Sequence, residues 1–189
     1  MIALIDNYDS FTFNVYDYLA RQCDVRVFRN TDDLEAIRPL DVKGIVLSPG
    51  PSHPSKSGLS LEALGHFSGR VPILGICLGM QAIAYQSGNQ VRKGKTIMHG
   101  KVDRMDNRGG ILFKGIGQEF TAVRYHSLVV DVSDGGFTVC SISKSDGEIM
   151  AIENRERRIF GLQFHPESYA TPQGMTFIRN FLEVCYGNA

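Results

Sequence analysis

In residues 71–88, VPILGICLGMQAIAYQSG, a thiol stands at the end of an apolar run, with one glycine two positions before it and another two positions after. The frame Gly75-x-Cys77-x-Gly79 matches the turn in which a nucleophile sits on a strained bend between a strand and a helix. Glycines there remove Cβ atoms where chain segments approach closely, so the side chain projects and the next backbone N–H is left to stabilise an oxyanion. A helix that begins just after the thiol also favours thiolate over thiol. The alternative is a small buried hydrophobe with incidental glycines, the usual role of a core cysteine. Cys23, Cys140 and Cys185 have no such setting and read as structural. A thiolate needs a proton shuttle, and of the five histidines His165 is best placed, because GLQFHPES puts it at the end of an apolar strand where Pro166 stops the ladder. Glu167 can take the proton on the other ring nitrogen and orient the imidazole, which completes a nucleophile, a base and an orienting acid. Taken alone, the His-Pro-Glu turn is equally a histidine capped by a nearby carboxylate.

Groups so far apart in sequence need a scaffold that gathers them at one edge. The short apolar runs IALID (2–6), VRVF (25–28), GIVLS (44–48) and ILGIC (73–77) read as buried strands, while FTFNVYDYLARQ (11–22) and SLEALGHF (60–67) carry apolar residues at helical spacing. That alternation predicts βα units feeding a largely parallel sheet. In the second half AVRYHSLVVDV, FTVCSIS, EIMAIEN and IFGLQF are strand-like runs separated by SDGG, KSDG and NRERR, which predicts a mostly antiparallel region. A closing helix spans 173–187 and ends at Gly187. The predicted fold is α/β, an open, largely parallel central sheet with flanking helices and an antiparallel extension, with residues 1–189 as one domain. In such sheets chemistry collects outside the carboxyl ends of the strands. DNYDSFT after the first strand, SPGPSHPSKSG after the third and Cys77 after the fourth all fall there. Asp6, Asn7 and Asp9 read as turn chemistry, with Ser10 or Asp9 capping the helix that starts near Phe11.

Composition narrows the partners. Twenty basic and twenty acidic residues leave no net charge, hence no electrostatic footprint for nucleic acid or an anionic membrane. An acidic residue arrives at Asp6, before a signal-peptide core could form, and no apolar run approaches a membrane span, so a cytoplasmic location is expected. The four cysteines lie far apart without a C-x-x-C pair, so reduced thiols and no metal site are expected.

SPGP after a strand, PILGICLGMQ, RYHSL and GLQFHPES occur in the order and spacing of the triad-type (class I) glutamine amidotransferases, over essentially the whole chain. IDNYDSFTFN, MHGK (98–101) and RYHSLVV (124–130) further resemble the small subunits of anthranilate synthase and aminodeoxychorismate synthase. The resemblance implies Cys77 as nucleophile, His165 as general base and acid, and Glu167 as its orienter. It implies oxyanion donors at the N–H groups of Gly50 and Leu78, and glutamine recognition by Gly50, Pro51 and Ser52, by Gln81, and by the backbone of Ser127 and Leu128. Gln81, four residues after Cys77, falls on the same helix face. Met80 stands where many of these small subunits carry histidine, a departure shared by other amidotransferases of the class. Spacing identifies no partner for His53, His66, His99 or His126, although the resemblance implies that His126 lies close to bound glutamine. It also implies that DNYDSFT and PSHPSKSG lie beside the active site and near the partner, so Asp6, Asn7 and Asp9 read equally as partner contacts. The implied activity is hydrolysis of L-glutamine and delivery of ammonia to a chorismate-utilising synthase subunit, with no metal or organic cofactor in this chain, because the family's magnesium belongs to the synthase. Anthranilate synthase is the first expectation for that partner and aminodeoxychorismate synthase, or both, the second. A free-standing γ-glutamyl hydrolase or peptidase is the reading from another class.

Overall fold

The computed structural model of the chain describes residues 1–133 and 135–187, so Asp134 of the expected SDGG turn and the last two residues of the expected domain lie outside the described residues. The first half runs β1 (Ile2–Asp6), α1 (Thr12–Ala20), β2 (Val25–Arg29), β3 (Gly44–Leu47), α2 (Leu59–Phe67), β4 (Ile73–Ile76) and α3 (Leu78–Gln86). The second runs β5 (Gln90–Lys93), β6 (Lys101–Asn107), β7 (Glu119–Arg124), β8 (Leu128–Asp131), β9 (Thr138–Ser143), β10 (Ile149–Asn154), β11 (Ile159–Leu162) and α4 (Gly174–Tyr186).

One nine-stranded sheet has the order β2-β1-β3-β4-β11-β10-β9-β6-β7. Pairing is parallel from β2 as far as β11 and antiparallel beyond it. The expected parallel sheet with an antiparallel extension is therefore present. IFGLQF, grouped by sequence with the antiparallel strands, supplies the strand that joins the two halves, since β11 lies parallel to β4 and antiparallel to β10. Its register pairs Ile76 with Leu162, which sets Cys77 and Gln163 side by side as both strands end. AVRYHSLVVDV is not one strand. It breaks at residues 125–127 into β7, in the large sheet, and β8, which pairs with β5 in a separate ribbon.

The strands β1, β3, β4 and β11 are buried on both faces, so alternate residues serve two cores. Ile2, Leu4, Val46 and Leu74 face α1 and α4 through Val15, Leu19, Phe177, Ile178 and Phe181. Ala3, Ile5, Ile45, Leu47 and Ile73 face α2 and α3 through Ala63, Leu64, Phe67, Met80 and Ile83. The helix α4 closes on Gly187 in the left-handed conformation, as a C-terminal glycine permits. At the start of α1 the expected side-chain cap is displaced by one step: Phe11 is the N-cap residue and has no side-chain cap bond, while Asp9 Oδ1 accepts the Phe11 N–H at 2.8 Å. Asp6 Oδ1 accepts from the Thr12 hydroxyl at 2.7 Å and from the Tyr8 N–H at 2.9 Å, so these carboxylates satisfy a tight loop rather than the helix end itself.

Candidate active site

Cys77 sits between β4 and α3 at φ 52°, ψ −103°, a conformation rarely tolerated by a residue with a Cβ. Its N–H is fixed to Leu162 O at 2.7 Å and its carbonyl accepts from the Gln81 N–H at 3.1 Å, so strand and helix clamp the bend from both sides. The flanking glycines are needed for this. A Cβ on Gly75 would lie 2.4 Å from the Gly79 carbonyl, and one on Gly79 would lie 2.4 Å from Leu47 O. Any side chain at either position would push the helix off the sheet edge and move the sulfur. As the first residue of α3, next to Cys77, Leu78 has an N–H with no intrahelical acceptor.

The strand expected to run to His165 and stop at Pro166 ends earlier, at Leu162, and the chain bends at Gln163 and Phe164, so His165 is held instead by its own backbone, which donates to Val123 O at 3.0 Å and accepts the Thr171 hydroxyl at 2.8 Å. Its Nδ1 meets Glu167 Oε1 at 2.5 Å, with both side chains buried. Burial opposes charge on the ring, but the Glu167 carboxylate and an interaction with the Cys77 sulfur outweigh it and hold the pKa well above 6.5. His165 Nε2 is buried and has no hydrogen-bond partner by geometry, although the Cys77 sulfur is near enough to act on the ring's charge. The ring packs edge-on against Tyr125 at 5.1 Å and Phe11 at 5.7 Å between centroids. Phe11 belongs to the DNYDSFT loop, which thus lies directly beside the His165–Glu167 pair.

The cavity in front of the thiol has a volume of about 170 Å³ and is lined by Gly50, Pro51, Ser52, Cys77, Gln81, Ser127 and Leu128, together with Tyr125 and His126. Every sequence-expected residue of the glutamine subsite is among them except Leu78, whose expected part is its N–H. Gln81 is buried and donates from Nε2 to Leu128 O at 3.1 Å and to Gln163 Oε1 at 3.2 Å. Gly50 has no room for a side chain: a Cβ would come within 2.6 Å of Asn7 Cβ and 2.7 Å of Leu78 Cδ2. Asn7 secures that turn, because its N–H donates to Ser48 Oγ at 2.8 Å and its Nδ2 to Ser48 O at 3.0 Å, while Oδ1 accepts from Ser60 and Asn30. The loops after β1 and β3 are one hydrogen-bonded unit at the point where strand order reverses.

Sequence reasoning did not single out Gln163, which is fully buried and donates to Cys77 Sγ at 3.6 Å. Local pattern gave no sign of it, because β11 ends at Leu162 and the chain bends at Gln163 and Phe164 before reaching His165. Sequence reasoning also overlooked Asn7 as a support of the Gly50 turn. Among the described residues no three His, Cys, Asp or Glu side chains are grouped to hold a metal ion, and no helix is long and apolar enough to cross a membrane. Burial pushes the Cys140 and Cys185 thiols up to about 12 and raises Cys23 as well, which disfavours thiolate at all three.

The model of the glutamine amidotransferase class-I family matches residues 3–185. The chain is 43% identical over 185 residues to the anthranilate synthase component 2 of Lactococcus lactis, covering 96% of this chain and 93% of that one. It is 44% identical over 189 residues to the aminodeoxychorismate synthase component 2 of Escherichia coli, covering 96% and 99%. It is 42% identical over 188 residues to the bifunctional protein TrpGD of Thermotoga maritima, but spans only 32% of that longer protein. A solved structure from Thermoplasma acidophilum, described as a GMP synthase component, superposes with a TM-score of 0.89 at 26% identity, covering 99% of this chain and 94% of that one. With the nucleophile-type bend, the His-Glu pair and the polar cavity all falling within the matched span, the chain belongs to the class-I glutamine amidotransferase family.

Proposed function

We propose that residues 1–189 act as one amidotransferase domain, the glutamine-hydrolysing subunit of a chorismate-utilising synthase. The observation that carries this reading is the convergence of Cys77, the His165–Glu167 pair and the Gly50 turn on one small polar cavity. The Cys77 thiolate attacks the side-chain carboxamide carbon of L-glutamine, and the negative charge that develops on oxygen is taken by the N–H groups of Gly50 and Leu78. One such donor typically contributes about 2.7–4 kcal/mol to the transition state. Imidazolium at His165 protonates the departing nitrogen, so ammonia leaves and a γ-glutamyl thioester remains on Cys77. His165, now neutral, takes a proton from water, the resulting hydroxide equivalent attacks the thioester, and glutamate departs as the thiolate–imidazolium pair is restored. Gly50, Pro51, Ser52, Gln81, Ser127 and Leu128 bind the glutamine, and Glu167 orients and charges His165.

The relatives named for anthranilate and for aminodeoxychorismate synthesis are equally similar, which supports a chorismate-utilising partner and leaves anthranilate as the first product to assay and 4-amino-4-deoxychorismate as the second. MHGK and DNYDSFT, which resemble segments of those small subunits, favour such a subunit over a free-standing γ-glutamyl hydrolase, and MHGK borders the site: the Met98 N–H donates to His126 O at 3.0 Å and His99 packs on Tyr125. The test is glutamate release by this chain alone, with each candidate synthase subunit, and with that subunit plus chorismate. The lone chain is expected to be slow and the complex at least about tenfold faster, a change that requires only about 1.4 kcal/mol in loop population. A lone chain as fast as either complex overturns the subunit reading in favour of the hydrolase.

The elevated pKa of His165 has a directional consequence. In the acylation step the ring must be protonated, so activity falls on the alkaline side as His165 loses its proton. Glu167→Gln removes the carboxylate that does most to raise this pKa, so the alkaline limb of kcat/KM moves to lower pH and kcat falls about a hundredfold without vanishing. Stability follows the same group: the charged ring's contribution is complete below pH 6.5 and is lost as pH rises through the higher folded value. A pH–rate profile for the variant that overlays the wild type contradicts the role given to Glu167.

A further inference from the structure

Arg124, at the end of β7, is wholly buried, which is costly for a guanidinium unless its donors are met. They are met from three directions. Nη1 donates to Asp103 Oδ2 at 2.6 Å and to Ser143 Oγ at 3.0 Å, and Nη2 donates to Asp146 Oδ2 at 2.8 Å. Asp103 in turn accepts from Ser143 and Ser145, so β6 and the β9–β10 turn form a rigid seat for the guanidinium. The remaining direction leads toward the cavity: Nε donates to His126 Nε2 at 3.0 Å. Arginine can only donate, so Nε2 is the acceptor and the imidazole proton sits on Nδ1. From there it donates to Leu128 O at 3.0 Å. Burial and the adjacent guanidinium push the His126 pKa down to about 4, so the ring stays neutral in this tautomer.

Leu128 O is also the acceptor for Gln81 Nε2, and Gln81 connects through Gln163 to the Cys77 sulfur. The neighbouring carbonyls are held as well, His126 O by the Met98 N–H at 3.0 Å and Ser127 O by the Gly94 N–H at 2.8 Å. Three successive carbonyls are thus pinned in the segment that breaks the expected strand and carries the exposed Ser127 along the cavity wall. A strut needed only to stabilise the antiparallel extension has no reason to extend through His126 to an atom shared with Gln81.

We propose that His126, oriented by Arg124, is a positioning residue for glutamine binding, fixing the Leu128 carbonyl and so the Ser127–Leu128 backbone that faces the substrate. This rests on the function proposed above. The test is steady-state glutamate release by the complex with its synthase subunit as glutamine is varied, with thermal midpoints as a folding check. His126→Gln leaves an acceptor for Arg124 but places no N–H within reach of Leu128 O, whereas His126→Asn keeps a donor near the Nδ1 position. KM for glutamine is expected to rise about tenfold in H126Q, the size of one buried hydrogen bond left unmade, with kcat nearly unchanged, and to be largely recovered in H126N. If H126Q does not fold, Arg124→Lys serves: it keeps a charge facing Asp103 and Asp146, loses the N–H that orients His126, and is expected to raise KM in the same direction but by less, since Nδ1 can still reach Leu128 O. A wild-type KM in the folded variant, an equal rise in H126N and H126Q, or a fall in kcat at constant KM overturns the positioning role. Wild-type complex that releases no glutamate overturns the proposed function and this inference with it.

Discussion

Replacing Cys77 with serine is expected to lower glutamine-dependent synthesis by the assembled complex about a thousandfold or more, while synthesis from added ammonium salt continues at the wild-type rate. The two activities separate because the sulfur is needed only to release ammonia, and the synthase subunit uses ammonia whatever its source. Serine fits the strained bend, which is set by the backbone and by Gly75 and Gly79 and not by the sulfur. Its hydroxyl is a far weaker acid than a thiol, and a histidine already held in the charged state by Glu167 is poorly suited to deprotonate it. The measurement is product formation with glutamine and with ammonium salt on one preparation, with complex formation verified. Retained glutamine-dependent turnover overturns the assignment of Cys77, and loss of both activities points instead to a collapsed interface.

His165→Ala is expected to cost nearly as much as Cys77→Ser, and the double variant no more than either single one, since the two side chains act as a unit. The variant also leaves the buried Glu167 carboxylate without its partner, a loss on the order of 3–5 kcal/mol in folding stability. Stability and catalysis can be separated by adding Glu167→Gln, which removes the stranded charge. The thermal midpoint should then recover in the double variant while glutamine-dependent activity stays lost. Activity that returns with stability reduces His165 to a structural residue, and single-variant kinetics equal to wild type exclude it from the chemistry.

Much of this site is legible in sequence because its parts are backbone devices with residue signatures. Gly75 and Gly79 announce a close approach, and the structure shows Leu47 O and the Gly79 carbonyl occupying the space a Cβ needs. Pro166 announces a turn, although β11 already ends at Leu162 and His165 is placed by a single bridge to Val123 after two bent residues. Pairing between distant strands is where local pattern fails. IFGLQF has the same alternation whether it lies parallel to β4 or antiparallel to it, and only the sheet reveals that it delivers His165 beside Cys77. RYHSL resembles a strand because nothing local shows that Arg124 is neutralised by Asp103 and Asp146, residues separated from it by 21 and 22 positions. The strands β5 and β6, QVRK and KVDRMDN, escaped notice because charged residues interrupt their apolar alternation, and their pairing depends on β8 on one side and on β7 and β9 on the other. The support that Asn7 gives to Gly50 escaped for the same reason, as its partners Ser48 and Ser60 are remote in sequence.

The most direct measurement is covalent trapping of the complex with an electrophilic glutamine analogue, followed by peptide mass mapping and assay of residual activity. The account predicts a single adduct on the peptide that carries Cys77, blocked by excess L-glutamine, with glutamine-dependent activity lost in proportion and Cys23, Cys140 and Cys185 unmodified. An adduct confined to any of those three thiols, or full glutamine-dependent activity with Cys77 blocked, contradicts it.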